Sequence, residues 1–208
     1  MSITLSGVTT STAAGTLNVS LPSHVAGDVL IVCAGVQSGL LTVDTSGWTI
    51  LAEIDEATYG SLILTKVASS DSESLTLGAG RVSTVSFKAS SAFSVYDFAT
   101  DVQTSALHTF SEVSTNVDSL ILGFLSGYGI NPTPGSSFPS NMTVLGSVFI
   151  PSTGLDIVAG SSIGTGDTFQ AEVLDTTFSR ETRFITLVID AAEIQAAKRR
   201  RRTPGVPL

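Results

Sequence analysis

The chain has 208 residues, 42% hydrophobic and 13% charged, with 18 acidic against 10 basic side chains and a formal net charge of −8. Low charge with many apolar residues excludes a disordered body, and the length is that of one large all-β domain or two small ones. The single cysteine, Cys33, rules out an intrachain disulfide. No apolar run approaches the ~18 residues of a membrane-spanning helix. The start, Met1-Ser2-Ile3-Thr4-Leu5-Ser6, lacks the basic and apolar regions of a signal peptide, so the expectation is a soluble protein synthesised in a cytosol.

Short runs rich in Val, Ile, Leu, Thr and Phe recur from residue 3 to residue 190, separated by Gly, Ser, Asn, Asp and Pro. That spacing predicts an antiparallel β-sandwich, jelly-roll-like, occupying residues 1–190. The predicted strands are 3–9, 16–21, 28–36, 47–54, 60–68, 74–78, 82–88, 92–98, 106–113, 118–127, 142–150, 154–160, 168–174 and 183–190. Alternation in 83–88, where Val85 and Phe87 share a side, and in 183–190 predicts half-buried strands. Val29–Val36 and Leu120–Leu125 are apolar on both faces and belong at sheet centres or subunit contacts. Cys33, inside the first of these runs, reads as a small buried hydrophobe. The stretch 127–141 holds three prolines and reads as a long exposed loop, or a hinge between halves. Residues 190–198 are Ala-rich with an acid first and a base last, which predicts a short helix. There is no regular repeat of 20–50 residues, but Gly27-Asp28-Val29-Leu30-Ile31-Val32 resembles Val117-Asp118-Ser119-Leu120-Ile121-Leu122 in placing an Asp before an apolar strand.

Acid–base chemistry has little to work with: His24, His108 and one thiol. Gly160-Ser161-Ser162-Ile163-Gly164 fits the nucleophile-elbow pattern, but a turn and another strand follow it, and both histidines precede the serine. The acids Asp71-Ser72-Glu73, Asp97 with Asp101, and Glu53 with Asp55 and Glu56 read as solvated loop charge, with calcium on Asp55 or Asp71 a lesser alternative. Zinc has no thiol or imidazole cluster, and no glycine-rich loop opens a helix for phosphate. The expectation is a non-enzymatic protein with no catalytic residue, metal site or cofactor.

Five of the ten cations fall in Lys198-Arg199-Arg200-Arg201-Arg202, giving residues 191–208 the character of a basic arm and leaving residues 1–197 at −13. Like charges in a row cannot pack on one another, so their partner is an anionic surface supplied from outside the domain. An acidic neighbouring protein ranks first; nucleic acid ranks lower, because no aromatics interleave for base stacking. A nuclear address has no support elsewhere in the chain. Trp48, carried in by the Ser46-Gly47 turn, is the expected core aromatic.

Three segments, Gly27-Asp28-Val29-Leu30-Ile31-Val32, Thr45-Ser46-Gly47-Trp48-Thr49-Ile50-Leu51 and Gly60-Ser61-Leu62-Ile63-Leu64-Thr65-Lys66-Val67-Ala68, together resemble β-sandwich structural proteins of tailed bacteriophage particles. Asp118-Ser119-Leu120-Ile121-Leu122-Gly123 and Thr182–Ile189 look like the second half of the same layout. The resemblance implies a virion component, such as a capsid decoration, fibre or tail protein, forming a homo-oligomer with other virion proteins as partners and no membrane contact. A carbohydrate-binding or receptor-binding tip is the rival reading.

Overall fold

The computed structural model describes residues 3–37, 42–43, 47–55, 58–104, 107–108, 110–128, 139, 141–148, 155–170, 174–175 and 181–192. Its strands in chain order are β1 Leu5–Asn18, β2 Val29–Gln37, β3 Thr42–Val43, β4 Thr49–Asp55, β5 Tyr59–Val67, β6 Thr76–Ala89, β7 Phe93–Gln103, β8 Leu107–His108, β9 Val113–Ser114, β10 Val117–Tyr128, β11 Thr143–Val148, β12 Leu155–Thr165, β13 Thr168–Phe169, β14 Leu174–Asp175 and β15 Thr182–Ala191. One antiparallel sheet has the order β1-β6-β2-β5-β4, with β3 added to β6; the second has the order β11-β12-β10-β15-β7. Two short pairs, β9 with β13 and β8 with β14, are the other ladders among the described residues. The all-β expectation holds. The jelly-roll-like connectivity does not fit these strand orders: a jelly roll passes back and forth between its sheets, whereas this chain completes one sheet within residues 5–89 before starting the other.

Both strands predicted to be central are central: β2 lies between β6 and β5, and β10 lies between β12 and β15. Two predicted breaks are absent. Residues 3–9 and 16–21 fall largely within one 14-residue strand, as do 74–78 and 82–88. Gly15, which reads as a turn, takes φ 83° at a register shift and bends β1 without ending it. The predicted helix is also corrected at its start, because Asp190 and Ala191 extend β15 and pair with Ser94 and Phe93. Residues 193–198 of that segment, and most of the loop 127–141, lie outside the described residues.

Alternation sends Ile31, Cys33, Ile63, Val85 and Phe87 of the first sheet against Leu122, Phe124, Ile157, Ile185 and Leu187 of the second. Each such side chain contributes about 1.5–3 kcal/mol when fully buried. The outer faces are apolar and covered as well. Leu17, Val19, Leu75 and Leu77 pack with Val32, Ala34, Leu62 and Leu64, while Phe110 and Met142 pack with Leu125, Val158 and Phe184. Hence β15 is buried along its whole length and β6 from Val82 to Phe87, where alternation alone predicts half-burial.

The two sheets also repeat one plan. Counting the five long strands of each half from its start, both read third, fourth, second, fifth, first across the sheet. Register matches too: Val29 faces Val67 and Ala89 as Leu120 faces Ile163 and Ile189. The third strand of each half is bulged at a leucine, Leu51 in β4 and Leu145 in β11, each opposite the same point of its partner. At the head of the second strand, the Val25 N–H donates to the Asp28 carboxylate as the Asn116 N–H donates to the Ser119 hydroxyl. Asp28 therefore corresponds to Ser119, one residue beyond the Asp118 that the sequence similarity suggests.

Candidate functional site

Lys198, Arg199, Arg200, Arg201 and Arg202 lie outside the described residues. Trp48 is half-buried rather than central: it packs on the outer cluster with Leu17 and Leu77, and its indole N–H donates to the Ser74 carbonyl at 3.1 Å. It seals the outer face of the first sheet and does not enter the layer between the sheets. Gly47 takes φ 90° immediately before it, which sets the turn.

The candidates for chemistry are fasteners or strand positions. His24 is buried, with Nδ1 2.7 Å from the Pro22 carbonyl and Nε2 accepting the Glu73 N–H at 3.2 Å, so both ring nitrogens are engaged by backbone. The backbone of His108 lies in β8 against Leu174. Ser162 lies inside β12 opposite Ile121, with no strand-to-helix turn to strain it, so the nucleophile-elbow geometry is absent. Among the described residues no three His, Cys, Asp or Glu side chains converge to hold a metal. Asp97 and Asp101 sit on strand β7, not in a loop. Asp97 accepts the N–H groups of Phe98 and Ser114, and Asp101 accepts that of Val102 and the amide of Gln103.

One end of the sandwich is tied by such caps. The Asp28 carboxylate is held below its ordinary value by the Val25 N–H and by Lys88, 3.1 Å away. Glu73 accepts from Lys66 at 2.5 Å and from the N–H and hydroxyl of Ser69, both at 2.6 Å, and these bonds push its pKa down to about 2. Asp190, buried in β15, accepts from Asn116 and Ser119. Cys33 is fully buried and its thiol is pushed up by desolvation, which leaves it inert.

At the opposite end the layer between the sheets turns polar. Ser61 of β5 and Ser126 of β10 share a hydrogen bond across the sheets. Arg183, fully buried, pairs with Glu181 and lies 5.1 Å from the centre of the Tyr59 ring. Gly35 makes room, since a Cβ there would stand 2.8 Å from Ile157 Cγ2 and 2.9 Å from Ser126 Cβ. Sequence reading misses this cluster; its one trace is a cation heading the apolar run of β15.

Edge strands β4 and β7 face each other at an open seam. A cleft of about 530 Å³ runs along it, lined by Val29, Leu51, Val67, Phe93 and Val95 with Thr49, Lys66 and Ser94 among the polar groups. Phe98 on β7 is 53% exposed and Tyr96 is 42% exposed. Comparison of the chain with protein-family models, curated proteins and solved structures gives no match.

Proposed function

We propose that this protein is a structural component of a bacteriophage particle, a homo-oligomeric capsid decoration or head-surface protein tethered by its basic arm to other virion proteins and carrying no catalytic role. One observation carries the reading. Six ionisable groups of the described body serve as fasteners: His24, Asp28, Glu73, Asp97 and Asp101 are bonded to backbone and Asp190 to neighbouring side chains. Such a body is built to hold shape. The basic run, concentrated in a short segment, supplies what a shape-holding subunit needs for attachment: a long-range attraction to an acidic neighbour.

Electron microscopy of particles labelled with an antibody to the chain tests the assignment. Label on the head exterior is the expected result, and unlabelled particles from cells that make the protein overturn it. A second reading, a tail-associated or carbohydrate-binding virion protein, is favoured by the exposed Tyr96 and Phe98 beside an open cleft. Label confined to the tail, with hits on a glycan array, would put it first.

A further inference from the structure

The sandwich has two seams, and the shared plan of its halves makes them equivalents: β1 meets β11 at one, and β4 meets β7 at the other. Both solve the same packing problem, so what differs between them is not required by the fold. At the β1–β11 seam Val8 packs on Gly146, where an added Cβ would come within 3.0 Å of it, and the residues standing for Asp97, Phe98, Asp101 and Glu53 are Gly7, Val8, Ser11 and Ser147. That seam carries no charge and no aromatic ring at those places. The β4–β7 seam carries both. Register puts Phe98 on the inner side of β7, opposite Leu187, while Asp97 and Asp101 lie on its outer side; Glu53 and Asp55 are exposed on the outer side of β4. An exposed ring is thus flanked by carboxylates on both rims. Neither strand contains a Lys or Arg, and the lysine of the adjacent cleft, Lys66, is held by Glu73.

We propose that the β4–β7 seam is the receptor for the basic run Lys198–Arg202 of a second copy of this chain. Charge complementarity selects the occupant: guanidinium groups stack on aromatic faces and pair with carboxylates, and the seam offers both in one strip. The tether reading selects the copy, because an arm that gripped its own subunit would attach nothing. Each copy then offers one arm and one receptor, a head-to-tail contact that closes into a ring when the rotation permits. This rests on the reading of the basic run as a tether and names what the tether grips.

Disulfide trapping in the full-length chain tests it, since Cys33 is buried. One preparation carries Arg200→Cys and a separately tagged one carries Thr100→Cys, an exposed position of β7 beside Phe98 that leaves the ring in place. On mixing and mild oxidation a mixed-tag dimer is expected. It should be suppressed in about 1 M salt, where charges are screened beyond about 3 Å. Pairing Arg200→Cys with Val117→Cys, 63% exposed but away from the seam, should give no more than background. The proposal is overturned if no mixed dimer forms, as when the arm serves nucleic acid, or if a chain carrying both substitutions closes only on itself. The trap is read without particles, so its failure is distinct from failure of the virion assignment.

Discussion

The two ends of the sandwich are held by different means. At the end carrying the turns before β2 and β10, side chains reach back three or four residues to backbone donors: Asp28 to Val25, Glu73 to Ser69, Ser119 to Asn116. At the other end the polar contacts join strands far apart in sequence, Ser61 to Ser126 and Tyr59 to Arg183, and they lie between the sheets rather than on the surface. Local caps join groups close in sequence and can be lost singly. Buried cross-sheet groups have no solvent to replace a missing partner, so each loss should be felt by the whole fold.

The largest expected effect is therefore at the polar end. Arg183→Ala removes a buried cation and strands its neighbours, which should lower stability by about 3–5 kcal/mol in urea unfolding. A loss under about 1 kcal/mol would mean the two ends do not differ in kind. Next is Gly35→Ala, whose Cβ must displace Ile157 and Ser126, at an expected cost of about 1–3 kcal/mol by thermal melting. Trp48→Ala should cost about 1–2 kcal/mol, less than a fully buried aromatic, because the indole is half-buried on an outer face. A loss as large as that of Phe87→Ala would place Trp48 energetically in the central core.

The smallest effect at neutral pH, and the most diagnostic of the capped end, is Glu73→Gln. Glu73 has a folded pKa of about 2 against an ordinary 4.5, so its contribution is complete above about pH 4.5 and is lost progressively as the pH falls toward 2. The urea midpoint of the parent chain should drop through that window, and that of Glu73→Gln should drop less. Parallel profiles would remove Glu73 from the account of acid sensitivity.

What the sequence showed follows the same division. Runs such as Val29–Val36 and Leu120–Leu125 carry their own evidence of central burial, and β2, β4 and β5 end within two residues of expectation. A bulged strand looks like two in the sequence because Gly15 and its neighbours resemble a turn until β6 is seen running opposite them. Burial of both faces of β15 depends on Phe110 and Met142 arriving from distant segments. The shared plan is legible in the sequence only as the phrase around Asp28, one residue out of register, because Ser119 takes the role of that aspartate. Of the candidate site, the cationic arm was plain from charge. The seam was not, since its character depends on β4 and β7 becoming neighbours across two sheets.

The central claim is a self-contained sandwich attached through its cationic arm, and deletion of residues 198–208 tests it most directly. The account predicts an unchanged melting temperature and loss of the protein from purified particles. Incorporation of the shortened chain at the level of the parent would contradict it.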